Sequence, residues 1–196
     1  MIFQISIFTS ITCFYAAYFI KQILLKKKGI RTNRLAKGRK PPKTAAIETA
    51  LLTATYSIAA LQYASVFFST FMIPLSFPVS VQWAGIVLTG VGVLFFVFAI
   101  TSMRDSWRAG VDETQKTAIV TKGIYKFSRN PAFAGFDMLY IGSALALPNV
   151  ILLIAAVMGI LLLHFQILEE EKYLPQAFGQ EYLQYRSTTP RYFLFF

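Results

Sequence analysis

Of the 196 residues 56% are hydrophobic and only 14% charged, with a mean hydropathy of +0.54, whereas a soluble domain carries roughly a quarter charged; the composition is that of an integral membrane protein. The net charge of +10 does not point to nucleic acid, because nearly half of the basic residues fall in one connecting loop, the ordinary topogenic signal between spans. The lone Cys13 excludes a disulfide framework and a cysteine metal site, and reads as a buried, inert thiol.

Apolar runs occupy approximately Ile2 to Leu25, Ala45 to Phe71, Trp83 to Met103, Ala132 to Leu147 and Val150 to Leu168. A span needs about 20 residues, so the first three qualify easily. The first run lacks a positive leader and a cleavage site and ends on Lys21 and Lys26-Lys27-Lys28, so it reads as a retained anchor. Pro41-Pro42 suits a chain turning into the second span. Gly85, Gly90 and Gly92 sit inside the third run, where small residues permit close helix packing, and not in the strand-turn-helix setting of a dinucleotide site. The last two runs are shorter and are separated by the turn signal Pro148-Asn149; they read as a tight helical hairpin. The expectation is an all-α integral membrane bundle of about five transmembrane helices, with a cytoplasmic carboxyl-terminal helix.

Charge sets the expected topology. Lys26 to Lys43 carries nine Lys or Arg and no acid, Arg104 to Arg129 carries six more, and the tail after Leu168 carries three. By the positive-inside rule all three regions are cytoplasmic, which puts the amino terminus outside and the carboxyl terminus inside, in a multi-pass protein embedded in the lipid bilayer.

Two stretches join charged and aromatic residues to apolar runs, which is where chemistry on a lipid-soluble substrate has to sit. In Gly123 to Gly135, Asn130-Pro131 reads as an N-cap followed by the first helical position. The free N–H groups of that turn, with Arg129 beside them, make an anion site suited to carboxylate or phosphate. The other reading of Tyr125, Lys126 and Arg129 is as interfacial anchors. In the second stretch the fifth span runs into Glu169-Glu170-Glu171, acids at a helix end where the macrodipole disfavours them. Arg129, Lys172 or a cationic ligand would compensate them; a solvated acidic extension is the alternative. The hairpin would bring the two stretches together and match a zwitterionic ligand at both ends.

Gly123, Tyr125, Arg129, Pro131, Phe133 and Gly135, then Glu170, Glu171, Leu174, Phe178, Gly179, Tyr182 and Tyr185, have a spacing that resembles the isoprenylcysteine carboxyl methyltransferase family and its relatives, the phospholipid N-methyltransferases. The resemblance covers about residues 104 to 192. It divides the chain into three spans with the basic loop 26–43 (residues 1–103) and a methyltransferase core (residues 104–196). It implies S-adenosyl-L-methionine as cofactor, held in a cytoplasmic-facing pocket closed by the loop before the motif and by the carboxyl-terminal helix, and a hydrophobic or prenylated substrate arriving laterally. Carried over by position, cofactor contacts fall on Thr117, Ala118, Ile119, Val120, Tyr125, Asn130, Pro131, Ala132, Phe133 and Glu170. Arg129, Glu170 and Glu171 are the candidate catalytic residues. Asn130 stands where the prenylcysteine enzymes usually have His, and Gln166 where a substrate-contacting Arg occurs, which puts a prenylcysteine carboxylate in question.

Gln166, Asp137 and His164 are the candidate substrate-binding residues. Asp137 lies six residues after Pro131 and His164 six before Glu170, so each sits about 9 Å from the cytoplasmic end and the two are expected to face each other. A structural pair and a role in proton removal or substrate binding both stay open; with one His, a metal site is not expected. A phospholipid amine acceptor and, in a different class, a nicotinamide-dependent membrane lipid reductase are the alternatives. The methyl acceptor and the oligomeric state are not written in the sequence.

Overall fold

The structure is a computed structural model that describes residues 1–38, 40–108 and 118–193. It contains five long helices: α1 (Ile2–Lys27), α2 (Pro42–Phe67), α3 (Val79–Ser102), α4 (Pro131–Ala146) and α5 (Val150–Thr188). Proline sets several of the starts. Pro42 and Pro131 occupy the first turns of α2 and α4, and Pro78 precedes α3, positions where a missing N–H costs nothing.

Helices α1, α2, α3 and α5 are each long and apolar enough to cross a membrane. Only 22–33% of their most apolar windows is buried, and side chains such as Ile20, Val87, Leu94, Phe98, Ile154 and Leu161 are exposed, so lipid must cover these surfaces. Cys13 is among the exposed positions; the expected buried thiol instead lies on the outer face of α1. The remaining helix of the bundle, α4, has 16 residues and rises about 24 Å, less than the roughly 30 Å hydrocarbon core. It is held by its neighbours, packing on α3 along its length and on α5 through the hairpin.

The α3–α4 seam is made by glycines seven residues apart, Gly85 and Gly92 against Gly142 and Gly135. A Cβ on Gly92 would lie 2.8 Å from the Gly135 carbonyl oxygen, and one on Gly85 2.6 Å from the Gly142 oxygen. The backbones touch. Gly90 faces open space, so it takes no part in the seam expected of all three α3 glycines. Elsewhere Phe14 of α1 stacks on Phe96 of α3 at 4.2 Å and meets Phe136 of α4 edge-on at 4.7 Å. A buried polar chain crosses the bundle: Tyr15 Oη donates to Gln62 Oε1 (2.7 Å), and Gln62 Nε2 donates to Ser143 Oγ (2.8 Å). In lipid such bonds are each worth about 0.6–2 kcal/mol.

At the hairpin, Asn149 caps α5 by accepting from Leu152 N at 2.8 Å. The α2–α3 connection clamps this turn through Leu75 N to Pro148 O and Val150 N to Ile73 O, both 3.0 Å. The other end of α5 is not straight. A continuous helix would carry residue 191 about 30 Å beyond Glu171, yet Arg191 touches that carboxylate at 2.7 Å. The chain changes direction at Gly179 (φ 56°, ψ −133°), a conformation essentially reserved for glycine.

Substituting Gly92→Ala is expected to destabilise the protein by about 1–3 kcal/mol through overpacking, whereas Gly90→Ala stays within about 0.5 kcal/mol. Denaturant or thermal unfolding of the two variants in detergent measures the difference.

Candidate active site

The lead-in to α4 is a 3₁₀ turn, Gly123–Lys126, followed by Ser128, Arg129 and Asn130, all three buried. What buries them is the chain beyond Gly179. Tyr185 Oη donates to Tyr125 O at 2.6 Å, and Arg129 N donates to Pro190 O at 2.9 Å. Ser128 Oγ and Asn130 Nδ2 both donate to Arg191 O, at 3.1 and 3.2 Å. The Arg129 guanidinium donates to the carbonyls of Thr189 and Arg186. Asn130 thus occupies the N-cap position, but its side chain makes no cap hydrogen bond to α4; its amide Nδ2 instead donates to the Arg191 carbonyl of the tail. Burial pushes the Tyr125 phenol well up, with Tyr185 and Glu170 adding to the effect, so it stays a neutral wall of the site.

The three consecutive acids are treated differently. Glu169 accepts from Lys172 Nζ (2.5 Å) and Thr44 Oγ1 (2.7 Å). Glu171 accepts from Arg129 Nη2 at 2.8 Å and from Arg191 Nη2 at 2.7 Å, and its bond raises the Arg191 guanidinium above its ordinary value. Glu170 is left with the Gln166 amide, Nε2 donating at 3.0 Å, and no cation pairs with it among the described residues. Its surroundings include a buried ion pair between Lys40 of the basic loop and Glu48 of α2. Glu48 also accepts from Ala36 N at 2.8 Å, pinning the loop over this end of the bundle.

Not every expected residue joins this group. Arg129 is committed to Glu171 and to tail carbonyls, so it is not the free anion ligand that its position suggests. Gln166 faces Glu170, one turn on, and its Oε1 is buried without a partner. Asp137 and His164 do not bond to each other: His164 Nδ1 and Tyr192 Oη are 2.9 Å apart, and Asp137 Oδ1 is buried with no partner. The tail residue Tyr192 has come between them. Ala118 is exposed and Ile119 and Val120 are half-buried, with no hydrogen bond to the acids among the described residues; Thr117 lies outside those residues. A cavity of about 270 Å³ lined by Gln4, Ser65, Gln82 and Asn149 lies at the opposite end, by the hairpin turn.

Lys40, Glu48, Arg191 and Tyr192 have no place in the expected set. Glu48 had a signal. It is the only acid in the first 104 residues, and it stands nearly two turns inside an apolar helix, where an ionisable group needs a reason.

The family model of phospholipid methyltransferases matches residues 80–181, just over half of the chain, including the α4 lead-in and all three acids. The chain belongs to the phospholipid methyltransferase family. Within the curated proteins it is similar to protein-S-isoprenylcysteine O-methyltransferase B of Arabidopsis thaliana, 37% identical over 73 residues, a segment covering 37% of this chain and 37% of that protein. The family match leaves out the basic loop, Glu48 and the tail after residue 181, so these parts of the site are read from the structure alone.

Glu171→Gln leaves two guanidiniums without their counter-ion. Breaking a buried pair in this way costs about 3–5 kcal/mol, and the expected outcome is release of the tail. Limited trypsin digestion should then cut after Arg186 and Arg191 much faster than in the wild type.

Proposed function

We propose that the protein is an S-adenosyl-L-methionine-dependent methyltransferase acting on a lipidic substrate at the inner face of the membrane. Glu170 carries this reading: in a run of three acids, two are neutralised by the protein's own cations and the middle one is not. A partly buried carboxylate without a counter-ion is a poor structural element and a good seat for a cationic ligand. The residues fit the donor. Glu170 would accept hydrogen bonds from its ammonium group, and the N–H groups of Ala132 and Phe133, which have no acceptor within α4, would hold its carboxylate. Tyr125 supplies an apolar wall.

When bound, such a donor would supply a methyl group on a sulfonium, and the task left to the protein's own residues is to position it. The tail strapped across the α4 lead-in excludes water from that region, and the Lys40–Glu48 pair holds the basic loop above Glu170. Placement on the cytoplasmic side is supported by the basic segments, Lys26 to Lys43 among them, which gather at the end of the bundle that carries Arg129 and Glu170.

Two acceptor classes have specific support. The family model is named for phospholipids, and the Arabidopsis relative for S-isoprenylcysteine. Gln166, which bonds Glu170, has no charge with which to hold the carboxylate of the second.

Calorimetry with S-adenosylhomocysteine on detergent-purified protein tests the reading. Wild-type protein should bind, and Glu170→Gln should weaken binding at least about tenfold, or 1.4 kcal/mol, at unchanged thermal stability. Absence of binding to the wild type, or equal affinity in the variant, would contradict it.

A further inference from the structure

The connection between α1 and α2 sorts its cations. Lys40 is turned inward: its Nζ donates to the Arg34 carbonyl at 2.9 Å and to the fully buried Glu48 carboxylate, which also accepts from Ala36 N at 2.8 Å. Thr32 and Leu35 are buried as well. Ala36 is held at φ 56°, a left-handed conformation that residues other than glycine adopt only uncommonly. A loop that served only to orient the chain in the bilayer would need a sufficient number of Lys and Arg, and no such shape.

The other cations face out. Lys26, Lys27, Arg31, Lys37 and Lys43 are exposed and have no acidic partner among the described residues, while Lys28, exposed too, meets the exposed Asp105 at 2.9 Å. Helix α1 sets their depth. Ile23 and Leu24 are 54% and 53% exposed on a helix long and apolar enough to cross a membrane, so lipid chains cover them. Lys27 follows Leu24 by three residues, about 4.5 Å along the axis, and a lysine stem extends outward along apolar surface to keep its ammonium in the polar layer. The uncompensated charges therefore lie at the level of the lipid phosphates. There they attract anionic head groups, with a force that fades within a Debye length of about 8 Å.

We propose that the α1–α2 connection is a docking surface for anionic phospholipid in the leaflet at this end of the bundle. Phosphate-bearing head groups with a net negative charge sit against Lys26, Lys27, Arg31 and Lys37, and the inward Lys40–Glu48 pair holds the chain in the shape that presents them. A zwitterionic head, whose phosphate is offset by its own cation, gains less from the same surface. This surface does not depend on what Glu170 binds.

Spin-labelled phosphatidylglycerol and phosphatidylcholine with identical chains test it, each added to the protein in phosphatidylcholine bilayers and their relative association measured by electron spin resonance. Wild-type protein should favour phosphatidylglycerol by at least about threefold at low salt, and the preference should fall towards unity at about 1 M salt, where the Debye length is about 3 Å. Combining Lys26→Gln, Lys27→Gln, Arg31→Gln and Lys37→Gln should remove most of the preference at unchanged thermal stability, whereas Lys26→Arg, Lys27→Arg and Lys37→Arg together should keep it. Equal association of the two lipids with the wild type overturns the proposal whether or not the variants fold, and so does an undiminished preference in the folded Gln variant. Displacement of phosphatidylglycerol by inorganic phosphate, beyond the effect of chloride at the same ionic strength, would assign the cations to a soluble anion and overturn it as well.

Discussion

Glu171 sits between two guanidiniums that reach it from opposite directions along the chain, Arg129 from just before α4 and Arg191 from just after α5. The Arg129 side chain is 4% exposed and that of Glu171 8%, so the pair is weakly screened and its rupture leaves buried charge behind. The exposed pair at Lys28 and Asp105, with side chains 59% and 56% accessible, is screened by solvent and contributes little. The two ion pairs look alike on a contact map and differ several-fold in consequence. Only the buried one, together with the reversal at Gly179, folds the carboxyl-terminal segment back over the α4 lead-in.

That clamp decides what the rest of the site is able to do. Because Arg129 is consumed by Glu171 and by the carbonyls that end α5, it does not neutralise Glu170; because Lys172 turns to Glu169, it does not either. Among the described residues Glu170 is the acid of the run that no cation pairs with, and it lies close enough to the α4 lead-in to act on the Tyr125 phenol.

The apolar runs and prolines made the helices legible, and Pro148-Asn149 marked the hairpin to the residue, since a break in hydropathy and a missing N–H are local facts. The glycine seam was legible in kind but not in detail, because choosing Gly85 and Gly92 over Gly90 requires the helical phase relative to α4. The grouping of Arg129 with the acids followed from the hairpin. Which acid takes which cation did not, since three neighbouring carboxylates on a helix point in directions 100° apart, and the tail's return hangs on the φ of one glycine, Gly179. Asp137 and His164 illustrate the limit: equal depth placed them together, and Tyr192, distant in sequence, separates them. Glu48 stood out as a lone acid in an apolar helix, but its pairing with Lys40 and its place near Glu170 were out of reach, because they depend on the packing of α2 on α5.

The central claim is that Glu170 is reserved for a cationic ligand by the clamp at Glu171. An experimental structure with S-adenosylhomocysteine bound tests it most directly. The ligand's ammonium nitrogen should lie about 3 Å from the Glu170 carboxylate, with Arg129 still on Glu171. Ligand density elsewhere in the bundle, or Glu170 paired with a lysine or arginine of the protein in that complex, would contradict the account.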